Sequence, residues 1–127
     1  MLKKILIIDD DETFAKNLQA EFLQVDEQVI LAFDGEEGLA KVKTDHPDVI
    51  ILDIILPKIL GLSFLEQLRN DDATKYIPVI VVSSFGGTDN EKRAKELGAN
   101  EFIVKMDITP KMLADTARRY LPTIKVA

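Results

Sequence analysis

The chain contains no cysteine among its 127 residues. Disulfide bonds, thiolate metal sites and thiol catalysis are therefore excluded. Basic clusters are also scarce, because none is longer than Lys3-Lys4 or Arg118-Arg119, and 16 basic against 22 acidic residues give a formal net charge of −6. Phosphate contact needs a concentrated positive face, so we expect no direct binding to nucleic acid and no binding to a membrane surface.

We also expect neither a membrane span nor a secretory leader. No stretch approaches the length that a membrane span requires, and the first apolar residues meet aspartates at once, unlike those of a signal peptide. We therefore expect a cytoplasmic protein. With 46% hydrophobic and 30% charged residues, the chain suits one ordinary globular domain and leaves no room for a second. We expect that domain to span residues 1–122, followed by a tail over residues 123–127.

What the sequence does contain is an alternation of short Ile/Val/Leu runs with helical patterns. The runs predict five strands, over residues 4–9, 28–33, 48–52, 79–82 and 101–104. The other segments predict helices over residues 12–24, 36–43, 62–70 and 88–97, and from Pro110 to near Pro122. Continuous apolar runs are typical of strands buried on both faces. The expected fold is therefore α/β, with a doubly wound parallel sheet and helices on both sides.

Polar side chains follow four of these five strands at the point where each strand ends. They are Asp9 and Asp10, Asp53, Ser83, and Lys105. The carboxyl ends of parallel strands meet at one edge of a sheet, where open α/β folds bind their ligands. Carboxylates from two strands would repel each other there unless a cation or a proton intervened, and the expected cation is a hard one such as Mg²⁺.

The types of these side chains indicate phosphoryl chemistry. A carboxylate held beside a metal ion can attack phosphorus, as aspartyl-phosphate enzymes do. A metal ion and a lysine can neutralise charge on the phosphoryl oxygens, and a hydroxyl can donate a hydrogen bond to a third oxygen. Asp10, Asp53, Lys105 and Ser83 fit these roles.

Several motifs carry a resemblance to a known family. They are Ile5-Leu6-Ile7-Ile8-Asp9-Asp10, the run from Pro47 to Asp53, Pro57 with Gly61, Pro78-Val79-Ile80 before Ser83, and Gly98-Ala99-Asn100-Glu101-Phe102 before Lys105. Over about residues 3–121 the chain resembles response-regulator receiver domains. The resemblance implies a flavodoxin-like fold with five strands in the order 2-1-3-4-5, flanked by five helices.

What the resemblance implies for function is a phosphorylation switch in two-component signalling. A sensor histidine kinase or phosphotransfer protein would donate the phosphoryl group in the presence of Mg²⁺. The face formed by the fourth helix, fifth strand and fifth helix would then change its contacts with a downstream protein or output domain. Phosphorylation-dependent homodimerisation through that face is a further expectation. We expect no enzymatic activity beyond self-catalysed phosphorylation and dephosphorylation.

The resemblance also implies a role for each site residue. The matching positions are Asp53 as phosphoacceptor, Asp9 and Asp10 as the acidic pair that binds metal with Asp53, Ile55 as a metal ligand through its backbone carbonyl, Ser83 as the switch hydroxyl, Phe102 as the switch aromatic residue, and Lys105 as the phosphate-pairing lysine.

The chain departs from the family pattern at several positions. Met106 follows the lysine where proline is usual, and Leu60 stands before the glycine where an aspartate is common. Leu60 belongs to an apolar loop that either shields the acyl phosphate or contacts a partner. Ile55 and Phe85 occupy positions where the family varies its phosphate lifetime. Neither side chain can orient an attacking water by a hydrogen bond, so we predict slow self-dephosphorylation.

Simpler interpretations of the same residues stay open. Asp11 is interpreted as a helix cap, and a serine that merely ends a strand is an alternative for Ser83, although the register after Pro78 favours Ser83 over Ser84. Phe102 would then be a core residue.

Other functional classes also remain as alternatives. The three alternatives are a phosphorylation-independent docking or dimerisation module, an aspartyl phosphatase, and a flavin carrier. The phosphatase interpretation is disfavoured because Ile55 stands where such enzymes commonly carry a second carboxylate. The flavin interpretation is disfavoured because the acidic residues after the first strand would repel a phosphate.

Overall fold

Strands alternate with helices in the computed structural model, which describes residues 2–56, 58–84, 86 and 88–122. The strands are β1 (Lys3–Ile8), β2 (Glu27–Ala32), β3 (Val49–Asp53), β4 (Val79–Ser83) and β5 (Glu101–Val104). The helices are α1 (Glu12–Gln19), α2 (Gly35–Asp45), α3 (Gly61–Arg69), α4 (Thr88–Glu96) and α5 (Pro110–Arg118), with a 3₁₀ turn at Lys105–Asp107. The predicted tail over residues 123–127 lies outside the described residues. No described helix has the length and apolarity to cross a membrane.

The sheet is parallel, and its strand order is β2-β1-β3-β4-β5. This confirms the predicted doubly wound α/β fold. Side chains alternate between the two faces of a strand, so each face of the sheet has its own apolar core. Ile8 and Phe64 belong to the core on the side of α2, α3 and α4. Ile7 and Leu18 belong to the core on the side of α1 and α5.

The central strands are buried as the apolar runs predicted, but the edge strands are not. Every residue of β3 and β4 is buried. All residues of β5 and most of β2 are only partly buried. The expectation of burial on both faces was therefore wrong for these two strands, because the flanking helices cover the centre of the sheet more completely than its edges.

The first helix is shorter than the predicted segment 12–24, since α1 ends at Gln19. Beyond it, the N–H of Phe22 donates to the carbonyl of Gln19 at 3.1 Å, which is the tighter hydrogen bond of a 3₁₀ turn. That turn still directs Phe22 into the core beside Phe14 and Leu18. Phe14, Leu18 and Phe22 thus form one apolar stripe, although the helix that was expected to carry all of it ends early.

The helix cap predicted at Asp11 is present, and Thr109 caps α5 in the same way. The Asp11 carboxylate accepts a hydrogen bond from the N–H of Phe14 at 3.0 Å. The Thr109 hydroxyl accepts one from the N–H three residues later at 3.1 Å, and Pro110 occupies the first turn. The chain leaves α4 through Gly98, whose φ of +93° is a conformation that side chains with a Cβ rarely adopt.

Arg118 links α5 to the start of β2 and the end of α1. Its Nε and Nη2 donate to the two carboxylate oxygens of Glu27 at 2.8 and 3.0 Å, and Nη2 also donates to the carbonyl of Glu21 at 2.7 Å. The side chain of Glu27 is only 1% exposed. A buried carboxylate with this bidentate partner depends on the arginine for its charge compensation.

We predict that Arg118→Ala lowers the free energy of unfolding by about 3 kcal/mol, because it leaves the Glu27 carboxylate buried without its partner. Urea unfolding at neutral pH measures this change. Arg119→Ala is the matched control, since Arg119 is the exposed neighbour, and we expect it to cost no more than about 0.5 kcal/mol. Equal effects of the two substitutions would contradict the prediction.

Candidate functional site

The carboxyl ends of β1 and β3 bring three carboxylates together. Asp9 follows β1, and Asp53 is the last residue of β3. The register pairs Ile8 with Leu52, so the next residues, Asp9 and Asp53, stand side by side on the same face. With Asp10 they each offer one oxygen, and these oxygens lie within 4.8 Å of one another. The structure thus assembles the acidic cluster that the sequence predicted.

Asp9 is buried, with 1% of its surface exposed. Its Oδ1 accepts a hydrogen bond from the N–H of Asp11 at 2.9 Å. Its Oδ2 lies 2.7 Å from the Nζ of Lys105, yet this buried atom has no partner with hydrogen-bond geometry among the described residues. Burial raises the pKa of Asp9 to about 6; the Lys105 and Asp11 contacts oppose that rise, and the charge of Asp53 adds to it.

Asp53 is 6% exposed, and both of its carboxylate oxygens have partners. Oδ1 accepts a hydrogen bond from the N–H of Ile55 at 3.0 Å. Oδ2 accepts one from the Nζ of Lys105 at 3.3 Å. The loop after Asp53 folds back so closely that a Cβ on Gly61 would lie 2.6 Å from the Asp53 carbonyl oxygen, which explains why a glycine stands there.

Lys105 is the first residue of the 3₁₀ turn that follows β5. Its side chain extends over the acidic cluster and contacts Asp9 and Asp53. Burial would lower the pKa of its ammonium, but the hydrogen bonds and charges of Asp9 and Asp53 outweigh burial, so the pKa is raised. Lys105 therefore stays charged. Met106, the residue where proline is usual, is 84% exposed.

The ring of Phe14 also contacts Lys105, with its centroid 4.3 Å from Nζ. From the sequence alone Phe14 is only a member of the apolar stripe. The signal that would have found it is its place in the first turn of the helix that leaves the acidic rim, four residues after Asp10.

Ser83 and Phe102 lie on the other side of the sheet from this cluster. Ser83 is the last residue of β4 and is 1% exposed, whereas Ser84 is exposed. The register pairs Asp53 with Val82, so the side chain of Ser83 is directed to the opposite face. Phe102 is on that same face and packs partly buried against its core. The predicted switch residues are therefore neighbours of α3 and α4.

The apolar loop between β3 and α3 is divided between core and surface. Ile54 and Leu56 are buried in the core below α3, whereas Ile55 and Leu60 are 55% and 64% exposed. The two exposed residues line a cavity of about 430 Å³ between α3 and α4. Only part of the loop is thus available to a partner or to the site. Phe85, the other residue of the lifetime prediction, lies outside the described residues.

Comparison with known proteins identifies the family. Residues 5–117 match the response regulator receiver domain. The chain belongs to this family. This receiver domain is 36% identical over 105 residues to the alkaline phosphatase synthesis transcriptional regulatory protein PhoP of Bacillus subtilis, covering 83% of this chain and 43% of that protein. The receiver chain spans about half the length of the curated relatives that it matches, for example 48% and 50%.

Solved structures of response regulators have the same fold as this receiver domain. The chemotaxis response regulator CheY4 of Vibrio cholerae is 27% identical and superposes with a TM-score of 0.84, over 94% of this chain and 99% of that one. The Mn²⁺-bound form of response regulator Rcp1 is 25% identical, with a TM-score of 0.85 over 98% of this chain and 99% of that one. The chain is thus a receiver domain of two-component response regulators.

We predict that metal-free Asp9→Asn is more stable than the wild type near pH 8, and that its advantage shrinks as the pH falls through about 6. The pKa of Asp9 is raised from 3.8 to about 6 in the folded chain. The folded state therefore binds this proton more tightly than the unfolded state. The cost of the buried carboxylate is present above pH 6 and is relieved as the carboxylate becomes protonated.

Urea unfolding in the presence of a chelator, between pH 4.5 and 8, measures this difference. Asp11→Asn is the matched control, because asparagine is an equally good helix cap and Asp11 is exposed. A stability difference between Asp9→Asn and wild type that stays constant across this pH range would show that Asp9 is not the titrating group.

Proposed function

We propose that Asp53 accepts a phosphoryl group from a histidine kinase or phosphotransfer protein, with Mg²⁺ held by the acidic cluster. The observation that carries the proposal is the environment of the Asp53 carboxylate. The N–H of Ile55 holds one oxygen, and the other faces Lys105 beside two further carboxylates. The nucleophile is therefore oriented, with a cation beside it and with two carboxylates that would hold the metal ion.

The composition of the cluster supports a divalent metal. Asp9, Asp10 and Asp53 carry three negative charges and Lys105 one positive charge, so the cluster sums to −3 + 1 = −2. A doubly charged cation would neutralise it. The donors are all oxygens, which Mg²⁺ prefers. The Ile55 carbonyl is the further ligand that the family resemblance implies.

When bound, Mg²⁺ would neutralise negative charge on the incoming phosphoryl oxygens. Oδ2 of Asp53 forms the new bond to phosphorus while the phosphorus–nitrogen bond of the donor phosphohistidine breaks, and the electron pair remains on the imidazole nitrogen. Lys105 is already 3.3 Å from that Oδ2 atom, and the ion pair with Asp9 at 2.7 Å keeps it nearby. Its ammonium can therefore pair with a phosphoryl oxygen after a small movement.

The response would pass through the opposite face of the sheet. Ser83 ends its strand at the same carboxyl edge as Asp53. Beyond that edge it would donate a hydrogen bond to a phosphoryl oxygen, and this would draw the start of α4 towards the site. Phe102 shares that face and is only partly buried. An inward turn of its ring would couple the site to the surface of α4, β5 and α5. On that surface the Tyr120 hydroxyl donates a hydrogen bond to the carboxylate of Glu101.

Receiver domains interact with histidine kinases and output domains. For this chain we propose that the surface of α4, β5 and α5 contacts a downstream protein or output domain, or a second copy of the chain, according to the phosphorylation state. Self-catalysed phosphorylation and dephosphorylation are the only reactions in this proposal. The cytoplasmic location expected from the sequence stays a prediction.

Intact-mass measurement after incubation with Mg²⁺ and acetyl phosphate tests the proposal. We expect the wild type to gain one phosphoryl group, and Asp53→Asn or chelated protein to gain none. Asp10→Asn should need more Mg²⁺ for the same gain, because it removes one oxygen ligand. A folded wild type that gains nothing would instead favour a phosphorylation-independent docking module.

Slow loss of the phosphoryl group is a second expectation for the isolated chain. Ile55 is 55% exposed beside Asp53 and offers no hydrogen bond to orient an attacking water. We predict that Ile55→Asn shortens the lifetime of phospho-Asp53. Intact-mass measurements over time, after the donor is removed, measure this lifetime. Leu23→Asn is the control and should leave the lifetime unchanged, because Leu23 is an exposed apolar residue beyond the far end of α1. A wild-type half-life of seconds would contradict the expectation.

A further inference from the structure

We propose that Phe14 is a positioning residue for Lys105, and that its ring fixes the ammonium over the phosphoryl site. The inference rests on the proposed role of Asp53 and goes beyond it, because Phe14 is not among the residues that the resemblance assigns to the site. The observation is a juxtaposition. Nζ of Lys105 lies 2.7 Å from Asp9, 3.3 Å from Asp53 and 4.3 Å from the centroid of the Phe14 ring.

These three contacts lie on two sides of the ammonium. The two carboxylates attract it from the side of the sheet, and the ring lies over it on the side of α1. The side chain of Lys105 is consequently 15% exposed, although it follows an edge strand. A lysine has a flexible four-carbon stem, so the Phe14 ring on the side of α1 restricts where the ammonium can lie.

The ring is itself well anchored. The backbone N–H of Phe14 donates to the Asp11 carboxylate at 3.0 Å, and the N–H of Asp11 donates to Asp9 at 2.9 Å. The ring also packs against the core that contains Leu18. The segment that supplies the acidic pair therefore also carries the Phe14 ring, and its hydrogen bonds hold the start of α1 close to Asp9.

The kind of contact suits phosphoryl transfer. The face of an aromatic ring attracts a cation without a directional hydrogen bond. Lys105 can therefore shift from Oδ2 of Asp53 to a phosphoryl oxygen while it keeps its contact with the ring. The ring also excludes water from one side of the ammonium, which strengthens the attraction between the ammonium and the phosphoryl group.

Replacement of the ring tests the proposal through the rate of phosphoryl uptake. Phe14→Leu keeps an apolar side chain without the aromatic face, and Phe14→Tyr keeps that face. With Mg²⁺ and varied acetyl phosphate, we expect the maximal rate of phosphoryl uptake by Phe14→Leu to fall roughly three- to tenfold. A loss of this size corresponds to the strength of one partly buried cation–π contact. The donor concentration at half-maximal rate should change little, and Phe14→Tyr should stay near the wild-type rate.

Phe22→Leu is the matched control. Phe22 also lies beside a cation, with its ring 5.2 Å from the guanidinium of Arg118, but it follows the far end of α1. We expect this substitution to leave the rate of phosphoryl uptake unchanged. A comparable loss of rate in Phe22→Leu would overturn the proposal, since a general effect on α1 would then explain both variants.

A spectroscopic measurement separates positioning from packing. In the metal-free protein, the methylene protons next to the Lys105 ammonium should show an upfield ring-current shift in their NMR spectrum. We expect the shift to persist in Phe14→Tyr and Phe22→Leu and to disappear in Phe14→Leu. A wild-type spectrum without the shift would overturn the proposed contact.

The rates decide the functional part of the inference. Uptake by Phe14→Leu at the wild-type rate, or uptake by Phe14→Tyr as slow as that of Phe14→Leu, would overturn it. If Phe14→Leu does not fold, Phe14→Met replaces it with the same expectation. A folded wild type that takes up no phosphoryl group refutes the function proposed for Asp53, and this inference with it, before any substitution at Phe14 is compared.

Discussion

Repulsion among carboxylates at the carboxyl edge of the sheet is the constraint around which this receiver domain is arranged. Asp9, Asp10 and Asp53 present oxygens within 4.8 Å of one another, and Lys105 is the cation that reaches two of them. Backbone N–H groups stabilise two of the carboxylates locally, and the remaining negative charge is what a divalent cation would neutralise. The site is therefore prepared for cations and becomes favourable to a phosphoryl group only once its own charge is balanced.

The alternation of side chains along each strand separates two parts of the site. Asp9 and Asp53 are directed to the side of α1 and α5, where Phe14 covers Lys105. Ser83 and Phe102 are directed to the side of α3 and α4. The residues proposed for phosphoryl chemistry and those proposed for the response thus lie on opposite faces of one sheet, only one residue apart along the strands. The central strands that separate these two sets of residues are fully buried.

An unfavourable charge cluster requires stability from elsewhere in the fold. Two apolar cores on the faces of the sheet supply most of it. Single arginines tie the ends of the elements together at positions remote from the site. Arg118 pairs with the buried Glu27, and Arg69 donates to the carbonyls of Ile77 and Gly98, which join α3 to the loops around β4 and α4. These contacts lie away from the edge of the sheet that carries the acidic cluster.

The sequence by itself determined the helices and strands, their order along the chain, the polar residues at the strand ends, and the family. Apolar periodicity, caps at Asp11 and Thr109, and polar residues at the strand ends are local signals, so they can be recognised without coordinates. Tertiary structure decided what depends on distant contacts: the early end of α1, the partial exposure of β2 and β5, the division of the loop around Ile55 and Leu60, and the ring of Phe14 over Lys105. The last pair is separated by most of the chain, and only the packing of α1 beside the end of β5 brings the ring and the ammonium together.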